Sequence, residues 1–305
     1  MTELSQAVFD NYQVRKSKKQ KLAFIRFLKT HIPHLHVQEG GFPRNRNLVI
    51  GDPQTAKVIL GAHYDTCARL PFPNFITPKR PLLAIAYSLL IVIPYLLLVV
   101  ALNLLLRRFP ATADIHYLVS VVAYGIFMGL MLSGPANRHT ANDNTSGVIT
   151  LLEIYQKMDP QIRKSVCFVF FDNEEKGLLG SAHFRKKYKK RIKDTLMVNF
   201  DCVSDGDYFL IGISKKANQK HHVAIARAFT PTDKKQVLLE NLKKIYYPSD
   251  QAGFPLAVAV AALKRKKPFG YYMDRIHTKR DTVFQEENIQ YLTERTIQLM
   301  ENLNQ

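Results

Sequence analysis

Five short polar motifs hold most of the residues in this chain that are able to do chemistry: GAHYDT (61–66), ANDNTSG (141–147), FFDNEEKGLLGS (170–181), NFD (199–201) and HTKRDT (277–282). They supply His63, Asp65, Asp143, Asp172, Glu174, Glu175, Asp201 and His277. One His or Asp at a strand end ordinarily serves as a turn or capping residue. Two histidines and several carboxylates brought together form the hard, imidazole-tolerant donor set that suits zinc. Each histidine is also followed by an aspartate, in HYD and HTKRD. That pairing lets a carboxylate orient the far nitrogen of a metal-bound imidazole.

These residues are useful only if the fold brings them together. KVILGAHYD, SVCFVFFD, LMVNFD, DYFLIGI and LAVAVAAL read as strands. GVITLLEIYQKM, GSAHFRKKYKKRI, HHVAIARAF and ENIQYLTERTIQLMENL read as helices. A further helix is expected over residues 22–32, where Leu22, Phe24, Ile25, Phe27, Leu28 and Ile32 recur at helical spacing. Strands alternating with helices predict an α/β fold, a mostly parallel mixed sheet flanked by helices. In such sheets ligands bind beyond the carboxyl ends of the strands, so His63, Asp65, Asp172, Glu174, Glu175 and Asp201 are expected to converge there. Asp143 and His277 would reach the same place from loops.

One feature does not belong to that pattern. Residues 81–106 carry no charge and 115–134 carry none either. Each run is long enough to cross a hydrocarbon core, and the short RRFPATAD between them makes a hairpin. The expected organisation is a zinc-dependent hydrolase domain over 1–75 and 136–305, interrupted by a transmembrane hairpin over 76–135. The net charge of +18 implies an anionic neighbour. The lysine clusters RKSKKQK, RKKYKKRIK and KRKK are read as a solvated face held against an anionic lipid leaflet, with no nucleic acid expected. Lys79, Arg80 and Arg138 flank the outer ends of the hairpin and favour a cytoplasmic catalytic domain on a two-span cell-membrane protein, although Arg107 and Arg108 in the connecting loop oppose this. Residues 1–21 contain no apolar h-region, so no cleavable signal is expected. Cys67, Cys167 and Cys202 are too few and too scattered for a disulfide framework, which fits a reducing compartment.

The five motifs, in this order, resemble those of zinc metallopeptidase family M28, which includes bacterial leucyl aminopeptidases, glutamate carboxypeptidases and glutaminyl cyclases. The resemblance covers residues 20–70 and 136–305. It implies a centre of two Zn²⁺ ions bridged by Asp143, with His63 and Asp201 on one ion and Glu175 and His277 on the other. Glu174 would be the general base, and Asp65 and Asp281 would orient the histidines. Tyr246 resembles a tyrosine that assists the oxyanion, although Tyr247 is adjacent to it. A metal-held water, its pKa lowered to around 7, would attack an amide carbonyl. The implied activity is that of a membrane-anchored zinc hydrolase, an aminopeptidase acting on peptides. The alternatives are a deacylase acting on N-acyl amino acids, lipopeptides or other amphipathic amides, and a catalytically inactive membrane module. The chain departs from the family in two places. Asp143 follows His63 by 80 positions, because the hairpin lies between them, and SDQAGF has Gln251 where relatives more often have histidine. Glutaminyl cyclisation is disfavoured because those relatives line their pocket with tryptophan and this chain has none.

Overall fold

A computed structural model of the chain describes residues 1–304 apart from 71, 73 and 111. Its centre is a nine-stranded mixed sheet. Four strands, β3 (Val58–His63), β4 (Val166–Phe171), β5 (Leu196–Phe200) and β8 (Ala257–Lys266), form a parallel core in the order β4-β3-β5-β8. On one side β2 (Asn45–Ile50) runs antiparallel to β4, and β1 (His36–Gly40) pairs antiparallel with β2 at the edge. On the other side β6 (Tyr208–Ile213) runs antiparallel to β8, β7 (Gln236–Asn241) lies beyond β6, and β9 (Gly270–Tyr272) pairs with the end of β8.

The core strands are buried on both faces, which is why they read as unbroken apolar runs. Side chains alternate across the sheet. Phe168 and Phe170 pack with Leu60, Val198 and the helices α1 (Glu3–Asn11), α2 (Lys18–His31), α5 (Gly147–Lys157) and α9 (Glu286–Asn304). Val169 and Phe171 face the opposite way, with Ile59 and Met197, onto Phe184 and Tyr188 around α7 (Leu179–Lys187). Short α6 (Pro160–Arg163) leads into β4, and α8 (Lys215–Ala228) packs beside α9.

Several boundaries differ from the sequence reading. α1, β1, β2 and β7 carry little periodicity and were not expected. α7 ends at Lys187, where the lysine-rich segment breaks into a separate turn around Arg191–Lys193. α8 starts at Lys215 because Ser214 caps it by accepting a hydrogen bond from the Ala217 N–H, well before the apolar residues begin.

Helices α3 (Pro81–Leu106) and α4 (Ala113–Ser133) form an antiparallel pair. α3 keeps the expected bounds; α4 begins two residues earlier than expected. Among the described residues their apolar windows are unburied, and both helices are long and apolar enough to cross a membrane. Tyr95 stacks on Phe127 with ring centroids 4.9 Å apart. Near the connecting loop Asn103 donates to Ser120 Oγ (3.1 Å) and lies 2.8 Å from His116 Nδ1. At the opposite end Arg80 Nη1 donates to the Pro268 carbonyl (2.6 Å), and Ile76 bridges to Met273, fixing the hairpin base against the sheet.

Arg15 ties the N-terminal segment to the C-terminal end of β3. Its fully buried guanidinium donates to the carbonyls of Tyr64 and Tyr12 and to Thr145 Oγ1 (3.2 Å), while its main-chain N–H donates to Thr66 Oγ1 (3.0 Å). Burial lowers its pKa to about 10, against the pull of Asp65. Arg15→Met leaves several buried acceptors unsatisfied, and the unfolding free energy is expected to fall by about 2–3 kcal/mol. Denaturant titration of the purified protein measures this; an unchanged midpoint would contradict the bracing role.

Candidate metal centre

The strand ends do converge. His63 is the last residue of β3, and Asp201 directly follows β5. Glu174 and Glu175 open a single 3-10 turn just beyond β4. That turn is framed by left-handed residues, Asn173 (φ 54°), Gly177 (φ 96°) and Leu178 (φ 61°), so the chain doubles back and aims both carboxylates inward. Asp143 lies in the turn preceding α5, and His277 arrives from the loop after β9, itself at φ 59°.

Asp143 sits between the two histidines. Its Oδ1 is 3.3 Å from His63 Nε2 and its Oδ2 is 2.8 Å from His277 Nε2. Asp201 Oδ1 lies 3.4 Å from His63 Nε2, and Glu175 Oε2 lies 3.4 Å from His277 Nε2. Glu174 joins His63 and Glu175 in a further group of potential ligand atoms within 4.8 Å of one another. Two donor sets therefore share Asp143, one on each side.

The surroundings hold these groups in place. Asp65 accepts hydrogen bonds from the main-chain N–H groups of Glu174 (2.9 Å) and Glu175 (3.3 Å), while its own carbonyl lies 3.0 Å from His63 Nδ1. It thus positions the glutamate turn as well as the imidazole. Asp281 was expected behind the His277 ring; its oxygens instead accept from the N–H groups of Asn142 (2.8 Å) and Asp143 (3.0 Å), holding the central aspartate directly. Sequence reasoning passed over Asn142 and Asn144. Asn142 Oδ1 accepts from the N–H groups of Ser204 (2.7 Å) and Asp205 (3.2 Å), and Asn144 Nδ2 donates to the Phe200 carbonyl (2.9 Å), so the two amides lock the Asp143 turn to the Asp201 loop. Their signal was in the sequence, flanking the aspartate of ANDNTSG. Cys67 was also missed; its sulfur falls within the same 4.8 Å grouping as Asp143, Glu175 and His277. Asp172, by contrast, turns away to pair with Lys21 Nζ at 2.5 Å. The adjacent tyrosines separate in role. Tyr247 is buried and donates to the Asp201 carbonyl (3.0 Å), whereas Tyr246 is 57% exposed and lines the cavity over the cluster.

The electrostatics are those of crowded buried carboxylates. Burial raises Glu174 well above the ordinary carboxylate range, His63 opposing it and Glu175 adding to it. Burial pushes Glu175 up to about 8, Asp281 to about 8 and Asp250 to about 7. Burial works to lower His277, yet Glu175 and Asp143 hold it up at about 10. Burial also disfavours the Asp143 carboxylate, which the two histidines nevertheless keep far below its ordinary value.

A divalent cation fits this arrangement. For a tetrahedral zinc with bonds of about 2.0 Å, ligand atoms sit about 3.3 Å apart, close to most of the separations around His63 and His277. Glu175 Oε1 is buried without a hydrogen-bond partner. Carboxylates packed so closely away from water need opposite charge to stay ionised, and two imidazoles supply too little of it.

The sequence matches the description of Peptidase family M28 over residues 123–300. No curated protein matches it in a sequence comparison. Among solved structures the fold is similar to the LapA aminopeptidase of Legionella pneumophila (TM-score 0.56, 14% identity, covering 98% of this chain and 68% of that one). It is also similar to a Zn-dependent exopeptidase from Parabacteroides distasonis (0.55, 13%, 97% and 94%) and to the glutaminyl cyclase of Fimbriiglobus ruber (0.51, 15%, 98% and 92%).

Because Asp281 grips the backbone at Asp143, Asp281→Ala is expected to weaken divalent-metal affinity by about 10–100-fold. Competition against a chromophoric chelator reads this out, and an affinity equal to that of the parent would remove Asp281 from the positioning of the cluster.

Proposed function

The chain belongs to peptidase family M28, and from that premise we propose a membrane-anchored, zinc-dependent aminopeptidase that releases N-terminal residues from peptides. The observation that carries this reading is the carboxylate of Asp143, with one oxygen toward each of His63 and His277. Two ions are proposed, one held by His63, Asp143 and Asp201, the other by Asp143, Glu175 and His277. Zinc, when bound, supplies Lewis acidity that makes a water more acidic and a carbonyl more electrophilic.

The protein groups do the rest. The substrate amide enters the cavity of about 250 Å³ lined by the clustered carboxylates and histidines and by Phe75, Tyr87 and Tyr246. Glu174 is proposed as the general base that takes a proton from the attacking water and returns it to the departing amine. Its place in the turn is fixed by the Asp65 carboxylate through the Glu174 N–H. Tyr246 offers a hydroxyl at the cavity wall for the oxyanion, while Tyr247 holds the Asp201 loop. Residues 76–135 are read as the inserted membrane domain, with 1–75 and 136–305 as the cytoplasmic catalytic domain beside an anionic leaflet. The apolar, unburied helices and the basic residues Lys79, Arg80 and Arg138 at their inner ends support this placement.

Glu174→Gln is expected to keep its zinc and lose about 10²–10⁴-fold in turnover of an aminoacyl anilide, while Asp143→Ala loses both ions. Elemental analysis paired with the assay distinguishes the outcomes. Full activity in Glu174→Gln would overturn the assigned base, and less than one zinc in the parent, without chelator-sensitive hydrolysis, would favour an inactive module. The parent protein is expected to remain in the pellet when membranes are washed with alkaline carbonate; release into the supernatant would contradict the two-span reading.

A further inference from the structure

The walls of the metal centre are partly membrane helix. Tyr87 of α3 lines the cavity that contains Glu174 and His277. Phe127 of α4 lines a neighbouring recess that also reaches Glu175 and His277. The same two aromatic residues form the inner end of a third space, a groove of about 580 Å³ between α3 and α4. From Tyr87 it continues past Leu90 and Tyr95 to Leu98, with Ala123 on the facing helix. The groove thus opens among the apolar side chains of the hairpin, and Tyr87 and Phe127 at its inner end also line the spaces that hold the carboxylates.

Its lining identifies its occupant. Among the described residues no charged side chain lines the groove, and its only polar side-chain atoms are the hydroxyls of Tyr87 and Tyr95. A peptide lying there would strand its N–H and C=O groups away from water, at several kcal/mol for each unsatisfied group. A hydrocarbon chain has none to strand. Tyr87 and Leu98 are eleven positions apart on α3, about 16 Å at 1.5 Å per residue, room for a chain of about a dozen carbons.

We propose that the substrate is an amphipathic amide bearing one linear hydrocarbon chain, which lies in the α3–α4 groove while the amide reaches the metal centre. This rests on the hydrolase reading above. The amide C–N bond breaks, the water oxygen bonds to the carbonyl carbon, and a water proton passes to the leaving amine. The chain can be borne on the acyl side or on the amine side, and the test separates the two.

Zinc-loaded protein in nanodiscs is assayed with N-acyl-leucines from acetyl to palmitoyl, with leucine N-alkylamides from ethyl to hexadecyl, and with leucine anilide as the chain-free reference. Substrate is expressed per bilayer lipid, so that membrane partition cancels. In one series kcat/KM is expected to rise about tenfold or more up to about twelve carbons and then level off. Ala123→Phe, which fills the groove, should bring the ratio of long-chain to short-chain kcat/KM down to about one. Gly125→Phe adds the same bulk to α4 where a Cβ meets nothing within 4 Å, and should keep the parental ratio. Equal zinc content in both variants shows that the site is intact. A rise that survives Ala123→Phe, or no dependence on chain length in either series, overturns the proposal. If leucine anilide alone is cleaved, the groove proposal fails and the aminopeptidase stands. If the N-acyl series is cleaved and the anilide is not, the groove proposal stands and the preference for a free N-terminus fails.

Discussion

The charge imbalance around Asp143 is the constraint on which the rest of the structure depends. The buried carboxylates of Asp143, Glu174, Glu175 and Asp201 crowd around His63 and His277, and the buried guanidinium of Arg15 adds a further positive charge acting on Asp143. Burial drives Glu174, Glu175 and Asp250 toward their neutral forms. Such a cluster is costly for a fold to hold unless cations complete it. Much of the nearby structure serves that purpose. Asp281 grips the Asp143 backbone, Asp65 grips the glutamate turn, Asn142 and Asn144 join the Asp143 turn to the Asp201 loop, and Tyr247 buttresses Asp201 from behind.

The parallel core of the sheet makes this convergence possible. Parallel strands β3, β4 and β5 all end on the same side, so His63, the glutamate turn and Asp201 meet without any sequence proximity. The same logic explains how a segment as long as α3 and α4 fits between His63 and Asp143. The chain on either side of the two helices returns to the rim of the site, where Arg69 N–H donates to the Pro135 carbonyl (2.8 Å) and Asn137 N–H to the Cys67 carbonyl (3.2 Å). Side chains of α3 and α4 contribute to the rim of the site and to the groove beside it.

Legibility in the sequence followed the strength of the local pattern. β3, β4 and β5 were readable because burial on both faces demands unbroken apolar runs, and α3 and α4 because nothing but a span or a deeply buried helix is apolar all round. The edge strands β1 and β7 were not, since strands such as QVLLEN alternate weakly and owe their form to neighbours, and β2 was not because its NRN opening is polar. Asp172 illustrates the limit at the site. Its motif placed it beside Glu174 and Glu175, yet the buried ammonium of Lys21, 151 positions away, draws it out of the cluster.

Residue type and order alone marked the candidate donor residues, the strand ends that carry them, the two long apolar runs and the likeness to a peptidase family. Those properties are written in local composition and in motifs a few residues long. Which oxygen faces which histidine, that Asp281 holds a backbone and not a ring, that Tyr246 faces the cavity while Tyr247 is packed, and that Tyr87 and Phe127 line both the groove between α3 and α4 and the spaces over the cluster were decided by the tertiary structure. Each depends on the relative placement of segments far apart in the chain, and no short stretch of sequence encodes a distance across the fold.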